Sequence, residues 1–171
     1  MTWTTPKTDW QEGDIVAASD MNALGTNLNA LKTPPTALVT LNEAADFTTT
    51  STTFTDVNTT RLSLTLATTG GAVLVTFAGS ISLNVANSAV YFDLLVNGSR
   101  IAGDDGILVV TAASVAATNA SFTYWLTNLP AGTHTIRLQW KVPAGTTVTM
   151  WAGAGTALAD LHPQFAAREV S

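Results

Sequence analysis

The chain has 171 residues and a mass of 17.8 kDa, enough for one principal domain with a short appendage and too little for a second full domain. Seven Lys and Arg against twelve Asp and Glu give a net charge of −5, a pI near 4.6 and only 11% charged residues, which excludes non-specific binding of nucleic acid, since phosphate neutralisation needs clustered cations. The absence of cysteine excludes disulfide scaffolds, thiolate-bound zinc, iron–sulfur clusters and thiol nucleophiles.

In chain order, the first residues lack the apolar core of a secretory signal, and no 18-residue apolar run follows, so a soluble product of the cytoplasm with no membrane insertion is expected. Residues 1–17 carry Trp3, Pro6 and Trp10 among Thr and Asp and hold no run long enough to fold alone; they predict an extended arm that docks on something else. Residues 18–33 predict a short helix, with Ser19 as N-cap, Asp20 in the first turn and Pro34-Pro35 as the stop. Along it Met21, Leu24, Leu28 and Leu31 are spaced 3, 4, 3, the a and d positions of two heptads. Such a seam pairs between chains or covers a groove on its own subunit, and the spacing leaves both readings open. Gly25 and the shortness of the helix prevent it from driving assembly unaided.

Residues 36–171 read as strand after strand. The thirty threonines of the whole chain supply β-branched polarity in place of charge. Leu62, Leu64 and Leu66 alternate with Arg61, Ser63 and Thr65; Ile136, Leu138, Trp140 and Val142 alternate with Arg137, Gln139 and Lys141. Further runs cover 72–83, 89–96, 121–127 and 147–151, with weaker ones at 36–41, 52–57 and 163–170, about nine strands in all. Asn97-Gly98 is a hairpin turn between Val96 and Ser99, and no helical segment after residue 33 crosses between parallel strands. The fold class expected is therefore all-β, an antiparallel jelly-roll β-sandwich preceded by the arm and the helix. The strand through Tyr91, Asp93 and Leu95 is apolar on both faces, which predicts burial of its outer face against another copy of the chain.

No catalytic constellation is present: there is no nucleophile elbow, Walker loop, dinucleotide fingerprint or zinc-protease motif, so an enzyme and a cofactor are not expected. His134, His162 and Asp160 would have to meet from distant positions to hold a metal, and the Asp104-Asp105 loop, flanked by Gly103 and Gly106, lacks the alternating oxygens of a calcium loop; both read as ordinary polar positions. Trp140 falls on an apolar face and is expected in the core. Trp125 and Trp151 share faces with threonines and are the candidates for contact with a ligand such as a glycan.

Thr2-Trp3-Thr4-Thr5-Pro6-Lys7-Thr8-Asp9-Trp10, followed by Gly13-Asp14-Ile15-Val16-Ala17-Ala18-Ser19-Asp20-Met21-Asn22, resembles the N-terminal signature of a group of tailed-bacteriophage and prophage virion proteins. Val96-Asn97-Gly98-Ser99-Arg100 and the run from Leu129 to Trp140 resemble, at pattern level, the trimeric jelly-roll modules of the tumour-necrosis-factor and complement C1q type that form phage fibre tips. The resemblance implies a docking arm that meets other virion proteins through Trp3, Pro6 and Trp10, a helical neck and a homotrimeric head. It implies a virion structural protein of tail-fibre or tail-tip type, assembled in the host cytoplasm and able to meet a host-surface glycan or protein. The alternatives are a capsid decoration or head-fibre protein and a carbohydrate-binding module.

Overall fold

A computed structural model describes residues 7–153 and 161–170 of the chain, with the side chains of 30–32 outside that description. Helix α1 spans Ala18–Lys32. Its first turn starts one residue before the Ser19 cap read from the sequence, because the Asp20 carboxylate reaches back to accept the Ala17 N–H at 3.1 Å and closes the end by itself. The strands are β1 (Thr36–Thr40), β2 (Phe47–Thr49), β3 (Thr55–Asp56), β4 (Ser63–Thr68), β5 (Gly71–Leu83), β6 (Ser88–Val96), β7 (Ser99–Arg100), β8 (Leu108–Ala112), β9 (Thr118–Leu129), β10 (Gly132–Lys141), β11 (Val148–Met150) and β12 (Gln164–Val170). Among the described residues no helix is long and apolar enough to cross a membrane.

All pairings are antiparallel, in two sheets. In the first, β5 pairs with β9 along one edge and with β12 and then β11 along the other; β1 extends β12 and β2 extends β11. In the second, β10 is central, with β6 on one side and β4 and β3 on the other, and β7 and β8 lie beyond β6. The eight main strands thus run β1-β12-β5-β9 and β4-β10-β6-β8, with the chain passing repeatedly between sheets, which is jelly-roll connectivity. Period-2 side chains from both inner faces meet in one core: Phe77, Phe92, Phe165, Trp140, Ile136 and Leu138 are buried, with Phe77 packed on Phe92 and Phe122 at ring separations of 5.7 and 5.8 Å.

The register gives the sandwich two ends. Thr36, Arg168, Leu74 and Trp125 lie side by side across β1, β12, β5 and β9 at the end where α1 enters. The loops 84–87, 113–117 and 142–147 form the opposite end and are tied together by Asn84 N–H on Thr147 O (3.0 Å), Asn87 N–H on Ala112 O (2.8 Å) and the Ser88 and Thr146 hydroxyls (2.6 Å). At the near end the buried carboxylate of Glu169 on β12 accepts the Thr69 N–H at 2.9 Å and the Thr69 hydroxyl at 3.0 Å, joining the first sheet to the β4–β5 turn. Glu169→Ala orphans these donors, so chemical denaturation is expected to show a loss of about 2 kcal/mol, with Glu169→Gln, which keeps one acceptor, in between.

Candidate functional site

Trp3 and Pro6 of the predicted docking arm lie outside the described residues. Within residues 7–17, Lys7 and Asp14 close a loop: the ammonium stands 2.7 Å from Asp14 Oδ2, which also accepts the Gln11 N–H at 3.0 Å. The hydrogen bond from Lys7, then that from Gln11, holds the Asp14 carboxyl below its ordinary value. Trp10 donates Nε1–H to Lys7 O at 2.8 Å and lies under the Lys7 ammonium, its ring centroid 4.8 Å away. The arm and the start of α1 enclose an open cleft of about 290 Å³ lined by Trp10, Val16, Met21 and Leu24, with Lys7 and Asp20 at its rim. Met21, Leu24 and Leu28 of the predicted seam are 58, 46 and 57% exposed in the single subunit; the Leu31 side chain lies outside the description.

The outer face of the first sheet is a ladder of uncharged side chains. Next to the Thr36, Arg168, Leu74, Trp125 row come Leu38, Ala166, Thr76 and Thr123, then Thr40, Gln164, Ala78 and Ser121. Beyond them the Ser80 hydroxyl bonds Asn119 Oδ1 at 2.9 Å. Arg168 is the one charged side chain at these outward strand positions. Leu38 and Trp125 are 60 and 56% exposed, and the small residues between β12 and β9 leave shallow troughs of about 500 and 380 Å³. Trp151 is half-buried and gives its backbone N–H to Ser80 O at 3.1 Å. Leu74, opposite Trp125, and Ser80 are six residues apart on β5, about 20 Å, so the structure does not bring the two tryptophans into one platform.

The outer face of the second sheet is the reverse: charged, and covered by its own chain. Asp93 on β6 has no exposed surface; its Oδ2 accepts Arg100 Nε–H at 2.7 Å and its Oδ1 accepts the Leu94 N–H at 2.8 Å. Arg100 in turn lies 4.0 Å from the Phe54 ring centroid and donates from Nη2 to Gly103 O at 2.5 Å. Lys141 Nζ sits 4.9 Å from both the Phe54 and Tyr91 rings and donates to Asp104 O. Next to them, Asp56 accepts from Arg137 Nη1 at 3.1 Å and from Gln139 Nε2 at 2.8 Å. The burial of Asp93 and its neighbours, which the sequence led us to assign to another copy of the chain, is therefore supplied within the subunit by Phe54 and the 101–107 loop. The sequence carried a signal for this: across a two-residue Asn97-Gly98 turn, Arg100 pairs with Leu95 and falls diagonally beside Asp93 on the same face.

The same contacts engage the Asp104-Asp105 loop. The carbonyls of Gly103 and Asp104 that a cation would need are taken by Arg100 and Lys141. Among the described residues no three His, Cys, Asp or Glu side chains are grouped to hold a metal ion. His134 is buried at the near end. Its Nε2 donates to Pro130 O at 2.9 Å, since a carbonyl only accepts, and its Nδ1 accepts from Asn97 Nδ2 at 2.8 Å. His162 bonds Leu41 O at 2.8 Å at the other end of the sandwich, so the two histidines share no site; Asp160 lies outside the described residues.

The chain is thus an antiparallel jelly-roll sandwich with one charged and self-covered face and one neutral, open face. No family model matches the sequence, nor does any curated protein. Among solved structures, it is similar to the globular domain of zebrafish complement 1qA protein, at 15% identity and a TM-score of 0.47, covering 81% of this chain and 98% of that one. It is similar also to the Eiger TNF of S. frugiperda, at 14% identity and a TM-score of 0.48 over 81% of this chain and 94% of that one. A structure of infectious bursal disease virus, Gx strain, is similar at 12% identity and a TM-score of 0.40 over 80% of this chain and 36% of that one.

Proposed function

We propose that this chain is a non-enzymatic virion structural protein of the tail-fibre or tail-tip type, a homotrimer whose subunits meet through the outer face of the first sheet. The arm docks on other virion proteins and the far-end loops face a host-surface glycan or protein. The observation that carries the self-association is the contrast between the two outer faces. One holds the Asp93–Arg100 and Arg137–Asp56 pairs and Lys141, whereas the other offers Leu38, Leu74 and Trp125 among Thr, Ser and Ala with Arg168 as its lone charge. Interface cores are depleted in charge and enriched in aromatic anchors, and an exposed row of this kind is what a second subunit buries.

Trp125 also stands at the end where α1 enters, away from the loops that would lead on a particle, which favours subunit contact over sugar stacking for this residue. Because Trp125 is exposed in the single subunit, Trp125→Asp is expected to leave the fold intact and to remove the assembly. Light scattering should read three times 17.8 kDa for the natural chain and one subunit for the variant, with unchanged circular dichroism. A monomeric natural chain, or a variant that stays trimeric, would refute the interface. Counting copies per particle distinguishes a tail tip, with few trimers, from capsid decoration, with many.

A further inference from the structure

We infer that α1 is a parallel, in-register neck in which Met21, Leu24 and Leu28 of one copy pack against the same residues of the other two. The inference rests on the reading that the heads meet through the first sheet, because that contact brings all three copies of α1 out at the same end. Three observations point to a second copy of this helix as the occupant of its open side. The 3, 4 spacing of the apolar residues is the one that matches a like helix, and knobs at those positions fill holes on a partner with the same repeat. All three side chains are roughly half exposed or more, so the apolar flank of α1 is bare in the single subunit. That flank is also continuous with the cleft beside Trp10 at its start. It leads, through Pro34-Pro35, to the neutral face of the first sheet at its end.

An antiparallel pair of helices would set Leu24 against Leu28 instead of Leu24 against Leu24. The absence of cysteine makes the choice measurable. Leu24→Cys in the full chain, under mild oxidation, is expected to run as a covalent dimer on a non-reducing gel, one cysteine of each trio remaining free. Thr26→Cys, on the exposed opposite side, should stay unlinked. The same samples are weighed by light scattering without oxidant. A trimer in which Leu24→Cys fails to link, or links no better than Thr26→Cys, overturns the neck and leaves the head interface standing; a monomer overturns both. Linking that needs Leu24→Cys mixed with Leu28→Cys assigns the antiparallel pair and overturns the parallel one.

Discussion

Replacing Arg100 with alanine should destabilise the chain by about 3 kcal/mol, since it strands a buried carboxylate without its cation. For a chain of this length that corresponds to a fall in melting temperature of about 10 °C. Asp93 has no exposed surface and its outer oxygen has only the Arg100 guanidinium as partner at 2.7 Å, whereas the inner oxygen is held by the backbone of Leu94. Arg100 is itself partly exposed, which places the effect at the lower end of the range for buried pairs. The loss reaches past the pair, because Arg100 also anchors the 101–107 loop through Gly103 and stacks on Phe54. Amide exchange at Ile107, which bonds Phe92 O, should quicken in the variant. The double variant Asp93→Leu, Arg100→Met removes the stranded charge and should recover most of the loss, as a buried pair exchanged for apolar side chains of similar size costs little. A loss below 1 kcal/mol for Arg100→Ala, seen in urea unfolding, would mean that water reaches Asp93 and that the loop does not seal this face.

The strands legible in the sequence were those whose alternation is complete on one face. β4 and β10 carry Leu and Ile against Ser, Thr and Arg, and both formed in register with each other, Leu64 opposite Ile136. β7 was seen only as the far arm of the Asn97-Gly98 hairpin, and β2 and β8 were not read as strands at all. Phe47–Thr49 and Leu108–Ala112 are short, and they become strands because β11 and β6 present free edges to them, a tertiary cause that local pattern does not record. β9 extends beyond the 121–127 run at both ends, to 118 and 129, because it follows the long edge of β5. The error over β6 had a similar origin. Its two-faced pattern does mean burial, but periodicity does not say which chain does the burying, and the cover is a loop that Arg100 and Lys141 hold by its carbonyls.

The neutral face was legible only in pieces. Trp125 stood out as a tryptophan among threonines, but Leu38 and Leu74 looked like ordinary strand residues. Their meaning came from register, which aligns Leu74 with Trp125 and places Leu38 one row further along β1. The seam on α1 was legible as spacing, and its exposure in the single subunit required the structure. The tryptophan pair was the weakest of the site readings in physical terms, since sharing a sheet with threonines places two residues on similar surfaces without placing them near each other.

Gly106→Ala should destabilise the chain by about 3 kcal/mol through a cause unrelated to charge. Gly106 has φ of +69°, in the left-handed region that alanine occupies at a cost of about 1 kcal/mol or more. A Cβ at this position would overlap the Phe92 carbonyl oxygen and stand 2.9 Å from Phe54 Cζ. The carbonyl belongs to the central part of β6 and already accepts the Ile107 N–H at 2.8 Å, so the backbone there has little freedom to retreat. The loop must therefore lift, and lifting it pulls Gly103 O and Asp104 O away from Arg100 and Lys141. Because both changes break the same lock, Gly106→Ala and Arg100→Ala should be less than additive when combined, with a coupling of at least about 1 kcal/mol in a double-mutant cycle. Full additivity would show that the loop and the Asp93 pair are independent, and the outer face of the second sheet would then be sealed residue by residue instead of as one cover. The open face of the first sheet lies across the core from this lock, so both variants should keep the assembly state of the natural chain while lowering its melting temperature.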